Sequence, residues 1–210
     1  MKIETLVLGP VGANCYIVTD EKTNEAAVID CGEYTRELEE KLEGKNLKYI
    51  MLTHGHYDHI LGVHDLKEAH PEAEIAIHKD EAYKLVDELP SFAHEMMPGV
   101  QKYVPADITV SEGDELSVGE ITFSVMHTPG HSKGGVCYFA EAERTIFTGD
   151  TLFCLTVGRT DFFDSDECEM EDSISRLYKL EGDFDIYPGH NRATTMEYEK
   201  RRNRYMRRFK

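Results

Sequence analysis

The stretch Thr53-His54-Gly55-His56-Tyr57-Asp58-His59 constrains this chain more than any other. It sets three histidines and one aspartate in the order His-x-His-x-Asp-His. It directly follows Lys48-Tyr49-Ile50-Met51-Leu52, which reads as a buried strand, and precedes Ile60-Leu61-Gly62-Val63-His64-Asp65-Leu66, which reads as the start of a helix. Four side chains able to bind a metal therefore lie on a loop between a strand end and a helix N-terminus. Imidazole nitrogens and carboxylate oxygens are ligands for zinc and its neighbours. The rest of the chain reads as walls and further ligands around this loop.

Three more candidates stand in places of the same kind. His131 follows the predicted strand Ile121 to Met126, in Thr128-Pro129-Gly130-His131. Asp150 follows Thr145 to Phe147, in Thr148-Gly149-Asp150, and His190 follows Phe184 to Tyr187, in Pro188-Gly189-His190. An adjacent glycine lets the backbone turn tightly, and loops at the same end of a sheet converge. Five imidazoles and two carboxylates suit two divalent ions better than one, because a catalytic zinc takes about three protein ligands and keeps a place for water. Two ions can share a bridging carboxylate, and Asp150, with two oxygens, is the natural bridge. His64 and His70 read as structural or exposed, and His127 as structural at a strand end. His78 and His94 stay open.

The remaining chain alternates short strands and helices. Lys2 to Leu8, Ala13 to Val18 and Ala26 to Asp30 form a meander, and Thr35 heads a helix over Arg36 to Leu42. Helices are expected up to about Ala69, over Lys79 to Leu89, over Cys168 to Leu180 and from Thr194 onward. Pro90 to Pro105 is irregular and long enough to be a lid. Its Phe92, Met96, Met97 and Tyr103 either cover an apolar part of a substrate or pack down on the domain. Two strand-rich halves, each with helices, suggest two facing sheets with helices outside, an α/β domain of four layers spanning residues 1–210.

The net charge of −17 excludes a nucleic-acid partner, whose phosphates demand a basic surface. No run reaches the length of a membrane span, and Met1 to Leu6 lacks a secretory h-region, so a cytoplasmic location is expected. The five cysteines have no C-x-x-C spacing and read as reduced thiols, with Cys15, Cys137 and Cys154 filling the core. The basic run from Arg201 to Lys210 is either a solvated helix end or an anchor for an anion.

These residues resemble the metallo-β-lactamase superfold, and within it the glyoxalase II-like (hydroxyacylglutathione hydrolase-like) branch. The resemblance runs from Gly9-Pro10-Val11-Gly12-Ala13-Asn14-Cys15-Tyr16 through Thr53 to His59, Thr128 to His131, Thr148 to Phe153, Gly158-Arg159-Thr160-Asp161 and Tyr187 to His190. It implies an αββα sandwich with a dinuclear site on one edge. Metal 1 would be bound by His54, His56 and His131, metal 2 by Asp58, His59 and His190, with Asp150 bridging. The ions are expected to be zinc, with iron or manganese as alternatives. Longer members carry a C-terminal helical domain that helps hold glutathione. This chain ends soon after His190, so that domain is expected to be absent.

The implied reaction is hydrolysis of an acyl thioester such as S-lactoylglutathione by a metal-bound hydroxide, with Asp58 as ligand and orienter of the nucleophile. The expected substrate is a small anionic acyl thioester. Arg159 either pairs with its carboxylate or forms a salt bridge to Asp161, and Lys133 is a weaker candidate for the same role. Two alternatives stay open: a mononuclear-iron persulfide dioxygenase, and a non-catalytic metal-binding module of the same fold.

Overall fold

The computed structural model describes residues 1–210. Strands β1 (Lys2–Leu8), β2 (Ala13–Thr19) and β3 (Glu25–Ile29) form the antiparallel meander, and β4 (Asn46–Met51), β5 (Glu74–His78) and β6 (Ile108–Val110) extend it in parallel. Parallel neighbours need crossovers. Those crossovers carry helices α1 (Arg36–Leu42), α2 (Tyr57–Ile60), α3 (Val63–Ala69) and α4 (Ala93–Met96). The Thr35 hydroxyl caps α1 by accepting from the Leu38 amide at 3.2 Å.

The second sheet begins with β7 (Glu115–Val118), β8 (Ile121–His127), β9 (Val136–Ala140) and β10 (Thr145–Gly149), all antiparallel. A small hairpin, β11 (Leu152–Phe153) with β12 (Thr156–Val157), stands apart from it. Helix α5 (Glu167–Tyr178) then crosses over to β13 (Asp185–Pro188), which lies parallel to β10. Strand β14 (Thr194–Thr195) closes the edge before α6 (Met196–Arg202).

Period-two patterning divides the interior into three apolar layers. In β2, Cys15 and Ile17 face α1 and α3, while Tyr16 and Val18 face the other sheet; in β4, Ile50 and Met51 part the same way. In β9, Val136 and Tyr138 point to the first sheet, while Cys137 and Phe139 face α5 and α6. Covered on both faces, β2, β9 and β10 are buried at every position, the polar residues Asn14, Thr145 and Thr148 included. The order of layers is therefore helix, sheet, sheet, helix, the four-layered αββα arrangement expected from the sequence. No helix is long and apolar enough to cross a membrane.

The structure departs from the sequence expectation in four places. Lys79 to Leu89 holds only a short 3₁₀ turn, Ala82–Val86, and Asp87 is already extended. Both Glu81 and Lys84 are fully buried there, and a solvated amphipathic helix would not turn both charges inward. The helix after the histidine loop is divided into α2 and α3 at Leu61 and Gly62, where the chain passes so close to Glu33 and Tyr34 that a Cβ at Gly62 would collide with their backbone. The β11–β12 hairpin and the two-residue β14 were not expected. Cys15 and Cys137 are buried, whereas Cys154 is only half-buried.

Phe123 is wholly buried between the two sheets. Phe123→Ala is expected to lower the unfolding free energy by about 3–5 kcal/mol. Val7→Ala, at a side chain 67% exposed, should change it by less than about 0.5 kcal/mol. Urea denaturation of the two variants checks the contrast.

Candidate metal centre

The seven candidate ligands converge at the C-terminal ends of strands from both sheets. His54, His56, Asp58 and His59 lie between β4 and the first turn of α2. His131, Asp150 and His190 follow β8, β10 and β13. One nitrogen or oxygen from each of His54, His56 and His131 lies within 4.8 Å of the other two, and the same holds for Asp58, His59 and His190. Asp150 sits between these groups: its Oδ2 is 3.4 Å from His131 Nε2 and 3.7 Å from His190 Nε2, and its Oδ1 is 3.5 Å from His59 Nε2. Glycine is required at two of these turns. A Cβ on Gly189 would run into the Asp150 carboxylate, and one on Gly149 (φ 47°) would meet Thr53.

Four of the five imidazoles turn one nitrogen inward and have the other near a polar partner. His54 Nδ1 is 3.1 Å from Thr53 Oγ1, His59 Nδ1 is 2.9 Å from Asp30 Oδ2, and His131 Nδ1 is 2.9 Å from the Arg159 carbonyl. His56 is reversed: its Nδ1 lies 3.0 Å from His131 Nε2, and its Nε2 faces Asp164 Oδ1 at 3.9 Å. Such outer partners fix ring orientation in metal sites. Asp30 is the residue that the sequence reading missed. It groups spatially with His54 and His59, but its oxygens already accept from the Thr53 amide (2.8 Å) and hydroxyl (2.7 Å). It is a brace for His59 and for the loop.

The donor set fits a divalent cation. His54 Nε2 and Asp150 Oδ1 are buried with no hydrogen-bond partner, a costly arrangement for polar atoms. His59 Nε2 and His190 Nε2 face each other at 3.3 Å. Burial, reinforced by the neighbouring imidazoles, pushes His54 well below the usual histidine range, so it stays neutral as a ligand must. Burial likewise brings His131 down to about 4. Burial would lower His59 too, but Asp58, Asp150 and Asp30 outweigh it and raise His59 to about 10. His190 is also raised, with Asp58 and Asp150 overcoming its burial. The carboxylates thus draw positive charge to one half of the cluster, and a metal cation would answer the same field.

A second buried network holds the loops beneath the cluster. Glu81 accepts from the Gly55 amide and the Gly134 amide, both at 2.8 Å, and so ties the His54–His56 turn to the His131 loop. Lys84 Nζ reaches Glu81 at 2.8 Å and Asp164 at 2.5 Å. Burial works against the Lys84 charge, but the two carboxylates prevail and its pKa rises. Burial raises Asp164, yet the adjoining His56 and Lys84 bring it down to about 2. Glu81 and Lys84 stand three residues apart in the sequence, but only the fold brings Asp164 to them.

A cavity of about 590 Å³ opens over the cluster, with Val11, Phe92, Met96, Phe153, Val157 and Phe162 as its apolar walls. Phe92 adopts a left-handed backbone (φ 67°, ψ 4°), strained for a bulky residue. Its ring lies 5.1 Å from that of His56. From the Pro90 to Pro105 segment, Phe92 and Met96 line the cavity, while Met97 and Tyr103 do not. The segment is pinned by the Tyr57 amide, which donates to the Ser91 carbonyl at 2.9 Å.

Arg159 lines the cavity, but its guanidinium makes a bidentate pair with Asp161 at 2.5 and 2.7 Å. Lys133 is exposed and is not part of the lining. His78 stacks on His127 at 4.4 Å, His94 pairs with Glu88 on the surface, and His70 pairs with Glu39; none joins the cluster. The basic residues Arg201 to Lys210 also lie outside the lining.

The model of the metallo-beta-lactamase superfamily matches residues 8–203. The hydroxyacylglutathione hydrolase GloC of Haemophilus influenzae is 33% identical over 210 residues, covering 98% of both chains. Among solved structures, the BLEG-1 B3 metallo-beta-lactamase superposes with a TM-score of 0.91 at 30% identity, over 98% of this chain and 99% of that one. TTHA1623 in a di-iron-bound form superposes with a TM-score of 0.85 at 29% identity, over 96% of this chain and 99% of that one.

Asp30→Ala is expected to weaken zinc affinity about 10–100-fold, measured by competition with a chromophoric chelator. Lys84→Met leaves two carboxylates buried without their cation. It should cost about 3–5 kcal/mol of stability, read by urea unfolding.

Proposed function

The chain belongs to the metallo-beta-lactamase superfamily, and from that premise we propose that it is a dinuclear metallohydrolase of acyl thioesters, acting as a single domain. The observation that carries this reading is the pairing of two three-residue groups around Asp150 at the floor of one cavity. In this reading His54, His56 and His131 would hold one ion and Asp58, His59 and His190 the other, with the Asp150 carboxylate between the two groups available to both. Likeness to a hydroxyacylglutathione hydrolase over nearly the whole chain supports thioesters as the substrate class. Zinc is the expected metal; a relative solved with two irons makes iron the competitor.

Bound divalent ions would bring the pKa of water toward neutrality and polarise the thioester carbonyl. The chain supplies the remainder. Asp58 lines the cavity, where its ionised carboxylate accepts a hydrogen bond from the attacking water and so orients it. Burial raises Asp58, but His59 and His190 beside it outweigh this and depress its pKa, so it is ionised for that role. Asp30, the Arg159 carbonyl and Thr53 hold the rings of His59, His131 and His54 in place. Phe92, Phe153 and Phe162 exclude bulk water from the reacting carbonyl.

A second reading, hydrolysis of a β-lactam, is favoured by the close superposition on the BLEG-1 enzyme. One panel separates the readings. The purified protein is analysed for metal and assayed with S-lactoylglutathione, other acyl thioesters and a chromogenic cephalosporin. Two ions per chain are expected, with thioester turnover that a chelator abolishes and added zinc restores. His54→Ala should reduce turnover by more than the roughly 10–100-fold that outer hydrogen-bond partners are worth. One iron with oxygen consumption on a persulfide, turnover of the cephalosporin alone, or turnover surviving His54→Ala would each overturn the proposal.

A further inference from the structure

The cavity walls narrow the substrate class beyond the thioester reading, on which this inference rests. Outside the seven-residue cluster, Arg159 is the only cation that lines the cavity, and Glu95 adds a negative charge. The Arg159 guanidinium is engaged on two sides. Its Nε and Nη2 bind both oxygens of Asp161, and its plane lies 4.6 Å over the Phe162 ring. The pair is solvent-exposed, at 63% and 65%, so a substrate carboxylate would exchange one like partner for another with little net gain. A carrier bearing two carboxylates, as glutathione does, would meet no free cation here and would face Glu95.

The apolar side is better built. Phe92 and Phe162 lie 4.7 Å apart, and Phe162 stands 5.1 Å from His56 and 5.5 Å from His131. These rings flank the His54–His56–His131 half of the cluster directly. Phe163, 69% exposed, extends the surface outward at 5.2 Å from Phe92, and Met96, 59% exposed, adds a flexible apolar rim. Large apolar side chains left this exposed beside a cavity mark a recognition surface. Phe92 holds this place with a left-handed backbone (φ 67°), a conformation rarely adopted by a bulky residue.

We propose that the substrate carries an uncharged, apolar acyl group, that Phe92, Phe162 and Met96 receive it beside His56 and His131, and that the cavity does not recognise a carboxylate-bearing thiol carrier. In the reaction, water adds across the acyl C–S bond. Its hydroxyl goes to the carbonyl carbon and its proton to the sulfur, giving a carboxylic acid and a thiol.

The test uses the full chain loaded with zinc and a series of N-acetylcysteamine thioesters from acetyl to octanoyl, set against S-lactoylglutathione. The expected result is a kcat/KM that climbs with chain length by up to about fourfold per methylene and passes that for S-lactoylglutathione. Phe162→Ala and Phe92→Ala should flatten the climb, and Asp161→Asn, by releasing Arg159, should raise turnover of S-lactoylglutathione. A flat series with S-lactoylglutathione preferred throughout would overturn the proposal while leaving the thioesterase reading intact. If no thioester turns over, the thioesterase reading fails and calorimetric binding decides the cavity's preference. Tighter binding of S-hexyl-N-acetylcysteamine than of S-methylglutathione, weakened by Phe162→Ala, upholds it; the reverse order refutes it.

Discussion

Five imidazoles and two carboxylates share one mostly buried volume, and the architecture is arranged to tolerate that crowding. Inward-facing nitrogens of like character repel unless something positive is shared among them, so each ring must be held from behind. Asp30 does this for the most buried member, His59, and its other contacts tie it to Thr53, the first residue of the loop. It stands at the end of β3 with φ 57°, a backbone that turns its carboxylate under the neighbouring strand's exit. A strained residue, two adjacent parallel strands and a metal-binding loop therefore form one mechanical unit.

The walls of the site obey a different physics from its floor. The floor is charged and densely hydrogen-bonded; the walls are phenylalanine, methionine and valine. Apolar walls remove water, which strengthens every electrostatic interaction beneath them. The Glu81–Lys84–Asp164 network joins the two, because Asp164 follows directly on Phe162 and Phe163 and also faces His56. Moving the aromatic loop would disturb a buried ion pair, so wall and floor keep a fixed relation.

The floor was legible in the sequence because its candidate ligands are written locally. His-x-His-x-Asp-His is contiguous, and His131, Asp150 and His190 each stand beside a glycine after an apolar run, so the period-two pattern ends where the ligand begins. The αββα layering was suggested by the two strand-rich halves but was implied by the family resemblance, since periodicity alone does not establish it. Asp30 was not legible: one aspartate ending a strand has no local mark of what it will touch. Glu81 and Lys84 misled outright. Their spacing suits a helix face, and only pairing with the distant Gly55, Gly134 and Asp164 turns them inward. Arg159 was legible as a residue at the site with two alternative partners, a substrate carboxylate or Asp161, and the side-chain geometry pairs it with Asp161.

The division of the cluster between the sheets bears on how such a chain acquires its ions. The first sheet contributes His54, His56, Asp58 and His59, and the second contributes His131, Asp150 and His190. Each three-residue group takes members from both. During synthesis the His54–His59 stretch emerges long before its partners, and alone it can offer an ion only a partial, solvent-open grip. The seven side chains come together only when the sheets dock through the layer around Phe123 and Tyr138. The ions would then act as a late clasp across the sandwich, and their release would loosen the seam between its halves before either half lost its own strands.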